Sequence, residues 1–199
     1  MAEESFPFDE FVLDDIMNHH LIEINLKLEG CKWCLAAKLF ALSFIHYKQK
    51  RGFSSEEFKR RADHIVDGLF LFLQEKPISS IYAILPQLEG IVKDHLISKG
   101  ILEEAPKGYP IWTNKAIQNN ARDKCSNIKQ AIYEGVANPL SLIGKAKFIH
   151  PVKYDEKFLE PILQLRNKTI HGSLITIEGH EAVNVIILLY ALYHDIELK

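Results

Sequence analysis

The chain predicts an all-α fold, and three observations carry that prediction. Apolar residues recur at intervals of three and four over most of the 199 residues, the period of a helix with one buried face. No stretch alternates apolar and polar residues in the manner of a half-buried strand. Most prolines and glycines fall between the periodic runs, where they start or end helices.

The elements follow in order. Residues 8–28 mix acids with Phe11, Val12, Ile16, Leu21, Ile22, Ile24 and Leu26, and read as a first helix. A second helix spans about 33–49 and contains the strong helix-forming run Leu35-Ala36-Ala37-Lys38-Leu39-Phe40-Ala41-Leu42. In it, the spacing of Trp33, Phe40, Phe44 and Tyr47 is that of core packing. Gly52 ends it. Ser54-Ser55-Glu56-Glu57 has the pattern of an N-cap with acids in the first turn. One helix is expected from there through Ile65, Leu69, Phe70 and Phe72 to about Gln74, broken by Pro77.

Residues 79–98 form the next predicted helix, with Pro86 either kinking it or lying in its first turn; Gly100 closes it. Residues 101–112 read as a loop. Helices are expected at about 114–134, closed by Gly135, and from Asn138-Pro139 to about Phe148. Asp155 to His171 is a further helix, with Pro161 inside it or in its first turn. The last runs from Glu178 to Leu198. It is apolar over most of its circumference, so it is expected inside the bundle or in a dimer interface. We expect a homodimer, because this helix carries more apolar surface than one face of a monomer buries.

Composition narrows the class. Hydrophobic residues are 47% and charged residues 25%, ordinary for a globular protein. The formal net charge of −2 rules out a polycation. Charge is unevenly placed: residues 1–30 hold eight acids against Lys27, and residues 112–171 hold ten Lys/Arg against five Asp/Glu. A mildly basic stretch is compatible with nucleic-acid contact, and equally with a solvated face. The acidic start has no secretory pattern, and the longest apolar run, Val183–Tyr193, is interrupted by Asn184 and too short for a bilayer. Three cysteines argue for a reducing compartment. A cytoplasmic protein is expected.

Several chemistries find no support. Cys31-Lys32-Trp33-Cys34 has redox or half-zinc spacing, but Cys125 supplies no second pair. His19, His20, His46 and His64 follow no metal-ligand spacing, and no metal or cofactor is expected. No glycine-rich phosphate loop or nucleophile elbow occurs.

The chemically dense segment is Leu165-Arg166-Asn167-Lys168-Thr169-Ile170-His171-Gly172. It ends a helical run, and Gly172 suits the left-handed turn past a helix. Asn167 lies one turn before His171 on the same face, and Arg166 is long enough to converge on the same point. A cation, an amide and a titratable imidazole at one helix end suit phosphate binding and proton transfer.

Arg166-x4-His171, with Asn167 and Gly172 beside it, resembles the signature of HEPN domains. These are small helical domains of prokaryotic toxins, anti-phage proteins and RNA-processing factors. The resemblance extends to Ile84-Leu85-Pro86-Gln87-Leu88-Glu89-Gly90-Ile91-Val92, similar to a core helix of several HEPN families, and to Ala182–Leu192 after the motif. It covers about residues 79–199 as a HEPN-like helical bundle, with residues 1–78 as a helical extension packed on the same unit.

The resemblance implies a metal-independent endoribonuclease, a toxin or defence effector, whose site is often assembled from two protomers. Its 2′-OH attack leaves a 2′,3′-cyclic phosphate and a 5′-OH. It implies Arg166, Asn167 and His171 as catalytic residues, with Lys168 and Glu89 supporting substrate binding. Glu89 either pairs with Arg166, holds the histidine, or is a solvated helix residue. RNA and an antitoxin or regulatory protein are the implied partners. Some members continue as His-x-Tyr, where the tyrosine is modified. Here Gly172 and Ser173 follow, so the resemblance stops short of that regulation. A non-catalytic HEPN-like module, acting through protein or nucleotide contacts, is the alternative.

Overall fold

The computed structural model describes residues 32–104, 110–113, 156–177 and 179–198. The expected helices at 8–28, 114–134 and 138–148, and Cys31, Cys125, His19 and His20, lie outside the described residues. The described elements are α1 (Lys32–Lys50), α2 (Glu56–Lys59), α3 (Ala62–Leu73), α4 (Pro77–Ser98), β1 (Leu102–Glu104), β2 (Pro110–Trp112), α5 (Glu156–Ile170) and α6 (Gly179–Ile196). The fold is all-α apart from one short ribbon.

Helix α4 organises the packing, because its apolar positions repeat at helical spacing. Ile81, Ile84, Leu85, Leu88, Ile91, Val92 and Leu96 are all buried. It touches α2, α3, α5, α6 and β1. Its approach to α3 is close: a Cβ on Gly68 of α3 would lie 2.4 Å from Ile84 Cγ1. Only glycine permits that crossing. Pro77 opens α4, where a missing N–H costs nothing. Pro86 lies inside the helix rather than in its first turn, with its ring on an exposed position.

Helices α1 and α6 complete the core. Phe40, Phe44, Phe53, Phe58, Tyr190 and Tyr193 pack as an aromatic cluster, with edge-on pairs such as Phe40–Tyr190 at 5.2 Å. Burial pushes the Tyr193 hydroxyl well above its ordinary pKa. One core runs through α1, α3, α4 and α6, so the described part of residues 1–78 shares it with the part after 79. No described helix is long and apolar enough to cross a membrane.

Three expectations need correction. The single helix from Ser54 to Gln74 is two helices, broken at Arg60 and Arg61. The break lets Phe58 enter the core, fully buried, while Arg61 turns to Asp94 at 2.7 Å. The loop at 101–112 contains an antiparallel ribbon, Leu102 opposite Trp112 and Glu104 opposite Pro110. The surplus apolar surface of the last helix does not exist: residues 182–193 are all buried within the chain. That helix lies between α1, α4 and α5, so it leaves no face to argue for a dimer.

The Ser54-Ser55 cap also has an unexpected partner. Ser55 caps no amide of its own helix. Instead both serines donate to the Glu197 carboxylate, from Ser54 Oγ at 2.9 Å, Ser55 N at 2.8 Å, Ser55 Oγ at 2.6 Å and the Ser54 amide. Burial alone pushes the Glu197 carboxyl up, but the four donors outweigh it and hold the pKa below its ordinary value.

Candidate functional site

Helix α5 ends as its sequence directs. His171 N bonds Asn167 O at 3.1 Å, Gly172 N bonds Thr169 O at 3.1 Å, and Ser173 N bonds Lys168 O at 2.9 Å. Gly172 takes φ +65°. This glycine-closed turn satisfies the carbonyls a helix end leaves open. Ser173 Oγ adds a bond to Lys168 O at 3.3 Å, a support the sequence pattern did not flag. Below the turn, Ile162, Leu165 and Thr169 are buried, and Thr169 Oγ1 bonds Leu165 O at 2.8 Å. The buried stripe sets the rotation of the helix, so Asn167, Lys168 and His171 are exposed.

Arg166 lies at the edge of that stripe and turns inward. Its Nε meets Glu89 Oε2 at 2.9 Å and its NH2 meets Glu89 Oε1 at 2.7 Å, a two-pronged pair with α4. The side chains are only 15% and 22% exposed, so the pair is better shielded than a surface ion pair. Arg166 NH1 donates to Asn167 Oδ1 at 3.3 Å. Glu89, Arg166 and Asn167 therefore form one network. Its cation is held in place, and its charge is counterbalanced by Glu89. His171 and Lys168 stand at the same helix end, and no side-chain hydrogen bond between described residues joins them to the network.

The negative end of the α5 dipole lies here. It opposes an anion, and Lys168 in the last turn offsets that opposition. Two large apolar side chains flank the turn: Ile170 is 54% and Ile175 80% exposed.

A second charged cluster lies on the other flank of α4. Arg61 pairs with Asp94, His95 Nδ1 lies 3.2 Å from Glu57 Oε1, and Ser98 Oγ donates to the same oxygen at 3.3 Å. The Arg61 guanidinium lies over Gly90, where a Cβ would be 2.3 Å from its Nε. A cleft of about 670 Å³ beside it is lined by Glu56, Glu57, Asp94, Glu103 and Glu104. Four of these acids already have partners, in Lys59, His95, Arg61 and Lys93. Among the described residues no group of three or more His, Cys, Asp or Glu is arranged to hold a metal ion.

No family model, curated protein or solved structure matches the chain.

Proposed function

We propose that the protein is a HEPN-type endoribonuclease that cuts RNA without a metal, as a toxin or anti-phage effector. The observation that carries this reading is the joining of Glu89, Arg166 and Asn167 in one network at the helix end that presents His171. The motif resemblance supplies the reaction class, and the network supports it by holding a cation and an amide beside an exposed imidazole. His171 takes the 2′-OH proton or supplies one to the leaving 5′ oxygen. Arg166 and Asn167 donate to the phosphorane oxygens as charge gathers there. The products are a 2′,3′-cyclic phosphate and a 5′-OH.

A homodimeric, composite site belongs to the same proposal. Its support is the pair of exposed isoleucines beside His171, since α6 is already buried. A regulatory partner such as an antitoxin belongs to it as well. The compensation of Arg166 by Glu89 favours a second reading, a HEPN-like module that binds nucleotide or protein without cleaving.

The test is incubation of total RNA with the protein in EDTA. Cleavage to 2′,3′-cyclic phosphate ends supports the enzyme. An inert protein that still binds RNA or nucleotide supports the module. Light scattering at micromolar concentration checks the dimer, with twice the 22.8 kDa chain mass expected.

A further inference from the structure

Cutting RNA by 2′-OH attack moves two protons in opposite directions. The 2′-OH loses one as its oxygen bonds phosphorus, and the 5′ oxygen gains one as its bond to phosphorus breaks. His171 serves one of these transfers. The carboxylate of the same network is committed elsewhere, since both Glu89 oxygens bond Arg166, at 2.9 and 2.7 Å. Lys168 carries donors and no acceptor, which suits a phosphate oxygen better than a proton relay.

The start of the next helix offers the missing group. Helix α5 closes at Gly172, and α6 opens at Gly179. The connection between them is pinned to the core by buried Leu174 and by Ile177, which packs against it. The two helices touch, and packed helices run about 8–10 Å apart. The end of α5 and the start of α6 therefore share one end of the bundle. His171 stands just past the last turn of α5 and is exposed; His180 stands in the first turn of α6 and is half-buried. Imidazoles carried on helix ends at that spacing can meet one phosphodiester from two sides.

From this placement we infer that His180 is the second proton-transfer residue, so that one chain supplies both imidazoles. One takes the 2′-OH proton as the bond from O2′ to phosphorus forms. The other gives its proton to O5′ as that oxygen leaves. Each imidazole ends in the other's starting form, and proton exchange with water resets the pair. Histidine suits both halves, because the neutral ring accepts and the charged ring donates. The inference rests on the RNA-cleaving reading and goes beyond it, by completing the proton transfers within a single protomer.

The test uses the full chain and an oligoribonucleotide carrying a site that the wild type cuts in total RNA. His180→Ala and His180→Gln are each expected to lower cleavage about 10²–10⁴-fold, and to remove one limb of the bell-shaped pH–rate profile. Glutamine keeps a polar side chain at the position but transfers no proton, so two variants guard against a folding defect in one. The same oligoribonucleotide is then made with sulfur in place of the bridging 5′ oxygen. A thiolate leaves without a proton, because a thiol is a far stronger acid than an alcohol. The variant lacking the general acid, either His180→Ala or His171→Ala, should recover most of the wild-type rate on the sulfur substrate, while the other stays slow. That recovery is a signature no purely structural role produces.

Wild-type cleavage and an unchanged pH profile in His180→Gln would overturn the inference and leave the nuclease reading standing. Equal losses on both substrates by both alanine variants would also overturn it, as a structural role for His180. If the wild type cuts no RNA, both fall.

Discussion

Helix α4 carries two arginine–carboxylate pairs of nearly equal length and exposure, and they differ in what surrounds them. Arg61–Asp94 and Arg166–Glu89 both close to 2.7 Å, with side chains between 15% and 22% exposed. Arg61 is enclosed: it lies over Gly90 and bonds the Glu57 carbonyl at 3.4 Å, with the Glu57–His95 pair beside it. It joins α2 and α3 to α4. Arg166 instead also donates to Asn167, on an exposed helix end with Lys168 and His171. Bond geometry alone does not separate a brace from a candidate site. The polar groups left facing solvent beyond the pair do.

The largest expected difference between the two pairs is in cleavage. His171→Ala and Arg166→Ala should each reduce RNA cleavage by about 10²–10⁴-fold, whereas Arg61→Ala leaves it within a few-fold of wild type at temperatures where the variant is folded. Initial rates on one RNA, beside thermal melts, check this. Equal losses from Arg61→Ala and Arg166→Ala would erase the distinction between brace and site.

Stability should treat the pairs alike. Glu89→Ala and Asp94→Ala each leave a partly buried guanidinium short of its partner, at a cost of about 1–3 kcal/mol. Urea unfolding measures it. Only Glu89→Ala should also depress cleavage.

A smaller, pH-dependent effect is expected at Glu197. Its folded pKa lies below the ordinary glutamate value, so its contribution is present above that value and is lost as pH falls through the folded pKa. Glu197→Gln should be less stable than wild type at pH 7, and the gap should narrow below about pH 4. Melts across pH 3–7 check it, and a gap that widens on acidification would contradict the assignment.

Two glycines separate hard from soft crowding. Gly68→Ala drives a methyl against Ile84 in the core, and overpacking of that kind costs about 1–3 kcal/mol. Gly90→Ala meets only the mobile end of Arg61. Losing the Asp94 bond there is offset by the better helix propensity of alanine, about 1 kcal/mol. The smallest net change, near zero, is expected for Gly90→Ala by urea titration.

Much of this molecule is local chemistry, and the sequence by itself determined that part. The helices at 32–50, 77–98, 156–170 and 179–196 follow from apolar spacing. Their stops at Gly52, Gly100 and Gly172 follow from a residue that tolerates the positive φ each adopts. The helix-end placement of Asn167, Lys168 and His171 was legible for the same reason, since positions three and four apart share a face whatever the fold.

Tertiary structure decided what depends on residues far apart in the chain. Glu89 and Arg166 are 77 positions apart, and no periodicity distinguishes a paired glutamate from a solvated one. The break at Arg60-Arg61 runs against local propensity. It arises because burying Phe58 and reaching Asp94 require the chain to turn there. Glu197 crosses 143 positions to Ser54 and replaces the local cap that the serine–glutamate pattern predicted. The apolar circumference of the last helix could equally have served a bundle or a dimer; α1, α4 and α5 surround it, and the chain buries it alone. Local spacing fixes which face a residue takes, while its partner is set by where the packed helices bring distant faces together.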